Sequence, residues 1–137
     1  MEYRKLTWYK YMMMSDYTVK VDICPQNDLK YEFMELLSTG QLTTRQGYAW
    51  DGATGFPMTP KMLLRASLVH DTLYQLMRLG VLDPSTNRIL VDRTFKKICL
   101  EDGVPRIIAL PLYLATRLFG WILLYRENKE VATYEAP

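Results

Sequence analysis

Polar and apolar residues alternate from Thr18 through Val19, Lys20, Val21 and Asp22 to Ile23, the period of a half-buried strand, within a segment spanning 17–23. Taken together, Leu6–Met13 and Tyr17–Ile23 are rich in Tyr, Val and Thr, and Leu6–Met13 reads as an earlier strand. Pro25-Gln26-Asn27-Asp28 marks a turn, and so does Ser38-Thr39-Gly40. Tyr31–Leu37, between them, fits either a strand or a short helix, and Leu42–Trp50 reads as a last strand. Trp50–Pro57 holds two Gly and one Pro in eight residues, which forbids regular structure there.

Beyond that loop the period changes to that of helices. Thr59 and Pro60 have the chemistry of an N-cap and a first helical residue, opening a helix that runs to about Leu79 and stops at Gly80. A second runs from Ser85 or Thr86 to Glu101 and stops at Gly103. A third runs from Val104-Pro105 to about Tyr125. The expected fold is α+β: a small antiparallel sheet from the N-terminal half, packed on a three-helix C-terminal half. Residues 1–126 form one domain in this reading, and 127–137 a polar tail.

Composition narrows the class. Of 137 residues, 49% are hydrophobic and 23% charged, which is globular composition for one domain. Seventeen Lys and Arg face fifteen Asp and Glu, so there is no basic excess of the kind nucleic-acid binders carry. Eight Met and ten Tyr supply adaptable contact surface. Cys24 and Cys99, far apart in sequence, read as reduced, buried residues of a protein made in the cytosol. The first thirty residues show no signal-peptide pattern, because Lys10 and Asp16 flank the short Met12-Met13-Met14 run.

The third helix is unusual. Ile107–Tyr125 is nineteen residues with one charge, Arg117, near its centre. That length reaches the lower edge of a membrane span, but Arg117 would be costly in lipid and Pro111 would kink the helix. The expectation is a core helix with an exposed apolar face, and such a face suggests a partner or a bilayer surface.

Chemistry centres on the single histidine, His70. Tyr74 follows one helical turn later on the same face, and Asp71 lies about a hundred degrees round the helix. On the second helix Asp92 shares an apolar stripe with Phe95 and Cys99, where an unpaired carboxylate is expensive. A short connection packs the two helices antiparallel, so Asp92 can face His70 and support it as a general base. The alternative is a structural tie, Asp92 pairing with Tyr74, Arg65 or Arg93. In the loop, Asp51 and the turn at Gly52, with Asp71, offer oxygen ligands of the kind Ca²⁺ takes; the alternative is a glycine turn capped by Asp51.

Asp51-Gly52-Ala53-Thr54, Val69-His70-Asp71-Thr72-Leu73-Tyr74, Asp92-Arg93-Thr94-Phe95 and Arg117-Leu118-Phe119-Gly120 stand in the order and spacing of a small domain family of tailed phages and prophages. The resemblance spans about Tyr48–Trp121 and implies a phage or prophage source, without an activity. The segment from about Trp50 to Cys99 also resembles phospholipase A2, in which a calcium loop precedes a His-Asp-x-Cys-Tyr helix and an antiparallel helix carries Asp-Arg. That resemblance implies His70 as base, Asp92 orienting it, Tyr74 bonding Asp92, and Asp71 with the Gly52 neighbourhood holding Ca²⁺. Leu73 and Val91 stand where many members have Cys, the Gly-x-Gly-Gly loop is absent, and Asp51 has no counterpart there. The first fifty residues lie outside that pattern.

Two functions follow. One is a phage-encoded accessory protein whose phospholipase A2-like His-Asp site serves as a calcium-dependent hydrolase of esters or lipids. The other is a non-enzymatic phage accessory protein that binds a host or virion protein, its His/Asp/Tyr network purely structural. The expected location is the cytoplasm of an infected bacterial host, in the virion, or peripheral at a membrane. A membrane-associated lysis accessory using the third helix is a weaker third reading.

Overall fold

A computed structural model of the chain describes residues 1–6, 10–53 and 59–126. The middle of the expected 6–13 strand, the second half of the 50–57 loop and the 127–137 tail lie outside the described residues. Among the described residues, seven short strands precede three helices. They are β1 (Tyr3–Lys5), β2 (Tyr11–Met13), β3 (Tyr17–Lys20), β4 (Leu29–Lys30), β5 (Met34–Leu36), β6 (Gln41–Thr44) and β7 (Ala49–Trp50), then α1 (Lys61–Arg78), α2 (Pro84–Glu101) and α3 (Arg106–Arg126). The fold is α+β.

The strands form two antiparallel sheets rather than one, in the orders β1-β2-β7 and β3-β6-β5-β4. The 42–50 segment is therefore not a single strand. Gly47 adopts φ 93° in a turn closed by Tyr48 N–H donating to Arg45 O at 3.1 Å, and the chain leaves one sheet for the other. Asp16 fixes that turn: its carboxylate accepts from Gln46 N–H at 2.8 Å and from Arg45 at 3.0 Å. The 31–37 segment resolves as strand β5 after a turn, not as a helix.

Both sheets share one core with the helices. Tyr11, Met13, Leu36, Leu42 and Trp50 pack in the same buried cluster as Leu68, Leu73 and Leu76 of α1. Helix α1 is the central element, with twelve of its eighteen residues buried. Polar contacts fix its sheet-facing side, Trp50 Nε1–H donating to Ser67 Oγ at 3.1 Å and Thr44 bonding Thr72 at 3.3 Å.

Two local expectations are corrected. Pro60, not Thr59, stands at the N-cap of α1, with no side-chain cap. The Thr59 hydroxyl instead accepts from Ala53 N–H at 3.0 Å and pins the 51–53 loop end. Cys24 is exposed rather than buried, whereas Cys99 is buried; both are free thiols. Burial pushes the Cys99 thiol up to about 12, so it stays protonated and inert.

The α2 start is capped by Asp83, which accepts from Ser85 N–H at 3.0 Å, with Pro84 in the first turn. Arg65 near the start of α1 meets Asp102 just past the end of α2, while Tyr74 meets Asp92 nearer its start, so the pair is antiparallel. Helix α3 continues through Pro111 and packs mainly on α2. Among the described residues no helix is long and apolar enough to cross a membrane.

Candidate functional site

Asp92 is the hub where three helices meet. Its side chain is 0% exposed. Oδ1 accepts from His70 Nε2 at 2.9 Å and from the Tyr74 hydroxyl at 2.7 Å. Oδ2 accepts from Arg117 Nη1 of α3 at 2.9 Å. The Arg88 Nε lies 4.0 Å from the same oxygen, one helical turn before Asp92. An ionised carboxylate only accepts, so His70 must carry its proton on Nε2 to make that bond. Nδ1 is the ring nitrogen left over, and Asp71 Oδ1 lies 4.0 Å from it, beyond direct hydrogen-bond reach.

Two aromatic rings pack against the imidazole. The Tyr74 ring lies 4.1 Å away, tilted by 31°, and Phe95 approaches edge-on at 5.2 Å. A cavity of about 320 Å³ opens beside the ring. Asp71, Gly52, Ala53 and Ser67 line one part of it with His70, and Phe95, Leu112, Ala115, Phe119 and Gly120 line the apolar remainder. Such a cavity, largely apolar with a few polar groups converging, is the usual form of a small-molecule site.

Electrostatics follow from these contacts. Burial opposes ionisation of Asp92, but the bonds from His70, Tyr74 and Arg117 outweigh it and hold the carboxyl below its usual range. Burial also opposes charging His70, and the facing Asp71 and Asp92 outweigh that, raising the imidazole above its usual value. Burial beside the Asp92 anion pushes the Tyr74 phenol well up, so it remains a donor.

His70, Asp92 and Tyr74 are thus brought together as the helix spacing predicts, and Asp71 and Gly52 share the cavity wall with His70. Asp51 is not on that wall. Its side chain is 62% exposed, with Lys10 Nζ at 4.0 Å. Of the expected alternative partners of Asp92, Arg65 bonds Glu101 and Asp102 instead, and Arg93 is exposed on α2. The Asp71 carboxylate and the Gly52–Ala53 backbone are oxygen donors of the kind Ca²⁺ accepts. Among the described residues no three His, Cys, Asp or Glu cluster as a metal cage, so the fit is in kind rather than in number.

Two residues of the site escape the sequence reading. Arg117 has a signal, because a lone charge in an apolar helix packed on a core demands a buried partner. Arg88 has the i to i+4 spacing to Asp92. Its Nη2 donates to the carbonyls of Thr116 and Arg117. Gly120 matters by what it leaves out, since a Cβ there would collide with the Tyr74 hydroxyl and crowd Arg88. The Arg117-Leu118-Phe119-Gly120 motif thereby supplies a ligand of Asp92, a cavity wall and the space for Tyr74.

Comparison with protein-family models, with curated proteins and with solved structures gives no match in any of the three.

Proposed function

We propose that the chain is a hydrolase of carboxylic esters with an apolar acyl group, working through the His70–Asp92 pair in a phage-encoded accessory protein. The observation that carries the chemistry is the division of the His70 ring: Nε2 is committed to buried Asp92, and the ring borders a largely apolar cavity. Motif order supports the phage source.

In the neutral ring Nδ1 holds a lone pair and can take a proton from a water in the cavity as that water's oxygen attacks the ester carbonyl. Asp92 stabilises the imidazolium so formed, and Tyr74 and Arg117 keep Asp92 ionised and in place. When the carbon–oxygen bond to the alcohol breaks, Nδ1 returns the proton to the leaving oxygen, giving a free acid and an alcohol. Phe95, Leu112 and Phe119 shelter the acyl group. Asp71 with the Gly52–Ala53 backbone would hold Ca²⁺, which supplies a Lewis acid for the carbonyl oxygen when bound.

Hydrolysis of chromogenic esters of short and long acyl chain, with Ca²⁺ and with chelator, tests this. His70→Gln should lower the rate at least a hundredfold while the protein stays folded. The base is the neutral ring, so the wild-type rate should climb as pH rises past 6.5. Absence of hydrolysis in every condition overturns the proposal.

One observation favours a second reading. Asp92 bonds residues of α1 and α3 from its place on α2, which is how a purely structural tie is built. The protein would then bind a host or virion protein without catalysis. A folded, inactive wild type that captures such a partner through the apolar face of α3 would establish it.

A further inference from the structure

The outer face of α3 is a feature that the site leaves unexplained. Ile107, Leu110, Leu114, Leu118 and Trp121 recur every three or four residues and form one outward stripe, widened by Ile108 and Phe119. Ile107 is 83% exposed and Leu118 64%. Seven such side chains present on the order of 600 Å² of apolar surface, the upper end for a monomer's largest patch.

The chemistry of this face selects its occupant. The Trp121 indole in this stripe is satisfied inside the helix, Nε1–H donating to Leu118 O at 3.0 Å. A protein partner normally finds about one hydrogen bond per 100–200 Å² of interface, and the stripe is poor in groups for that purpose. From Arg106 to Arg126 there is no acidic residue. Arg117 is committed to Asp92 on the inner side, which leaves exposed Arg106 as a cation at the start of the helix. Lys96 flanks the helix, its Nζ 5.4 Å over the Tyr113 ring. An apolar stripe with cationic edges matches an anionic lipid surface. Ala115 and Phe119 belong both to the exposed side of α3 and to the wall of the cavity at His70, so the face adjoins the cavity. A second copy of the chain seated there would lie across that edge.

We propose that α3 docks in the surface of an anionic lipid layer, its outer face at the acyl boundary, so that the His70 cavity draws its ligand from the lipid side. The choice of lipid over a second copy rests on the hydrolase reading; the docking itself does not require catalysis.

Sedimentation with vesicles of ether-linked phosphatidylcholine and phosphatidylglycerol tests the docking, because ether lipids hold no ester to cleave. Wild type should bind, more tightly as the phosphatidylglycerol fraction rises. The triple variant Leu110→Gln, Leu114→Gln, Leu118→Gln changes exposed positions only and should bind at least tenfold more weakly with an unchanged melting temperature. Tyr31→Ser, an exposed site in the N-terminal half, should bind as wild type does. Equal binding by the triple variant, or no binding by wild type, overturns the proposal. A wild-type dimer that the triple variant splits, without vesicle binding, also overturns it and assigns the face to a second copy. Hydrolysis of a water-soluble short-chain ester is read in parallel. Vesicle binding without hydrolysis removes the catalytic reading and keeps the docking, and hydrolysis without vesicle binding does the reverse.

Discussion

Asp92→Asn is the substitution that separates a charged hub from a neutral one at nearly constant shape. The Asn carbonyl oxygen can still accept from His70 Nε2 and the Tyr74 hydroxyl, which now meet at Oδ1. Its amide would stand where Oδ2 accepts from Arg117 at 2.9 Å, donor against donor, with Arg88 Nε at 4.0 Å. Removing one partner of a buried ion pair costs about 3–5 kcal/mol. Arg117 is 28% exposed and can turn partly to water, which places the loss near the lower end, about 3 kcal/mol. For a chain of this length that is a fall of roughly 10 °C in melting temperature. Thermal and urea melts at neutral pH read it. In the double variant Asp92→Asn, Arg117→Met the stranded cation is gone, so stability should recover part of the way, a coupling of about 1–2 kcal/mol. A single-variant loss under about 3 °C, or a double variant no better than additive, would refute the idea that Asp92 is ionised and compensated in the core.

Gly120→Ala sets two effects against each other: alanine gains about 1 kcal/mol of helix propensity, and its Cβ collides with the Tyr74 hydroxyl. Overpacking of about 1–3 kcal/mol should win, and adding Tyr74→Phe should relieve it; a Gly120→Ala protein that melts higher than wild type shows that the close approach is not tight. The pH dependence of stability carries two signs. Asp92 lies below its usual 3.8 when folded, so its contribution is present above 3.8 and is lost as pH falls through the folded value. His70 lies above 6.5 when folded, so its contribution is present below 6.5 and is lost as pH rises through the folded value. Melting temperature should therefore be highest between those limits, and the imidazole NMR signals of the one histidine should titrate above 6.5. A midpoint below 6.5 would mean that burial outweighs both carboxylates.

The helical half was legible because its signals are local. Gly80 and Gly103 end helices through positive φ, and Asp83 with Pro84 starts one. The short link then settles the antiparallel pairing of α1 and α2. The sheet half was less legible because its strands are two to four residues long, too short for a period to declare itself. Whether Arg45–Gly47 continues a strand or breaks it depends on Asp16, about thirty residues away in sequence, accepting from the Gln46 amide. Thr59 carries the residue type of an N-cap, yet its hydroxyl serves the Ala53 amide, a choice made by tertiary packing.

The site divides along the same line. His70, Tyr74 and Asp92 could be placed together because two helices of known period and a short connection leave few ways to pair them. The third helix joins through a longer argument. Arg117 and Gly120 are ordinary letters in a hydrophobic run, and only the crossing of α3 over α2 shows that one supplies charge to Asp92 and the other room for Tyr74. That crossing also gives α3 two unlike faces. The inner one holds a charged network together, and the outer one offers lipid-compatible surface beside the cavity that the network frames. A structural tie accounts for the inner face, and under that reading the exposed apolar stripe beside the histidine would be the seat of a protein partner. Ester hydrolysis at a lipid surface, as proposed, would use both faces of one helix, and the paired vesicle and soluble-ester assays decide between that reading and the partner-binding one.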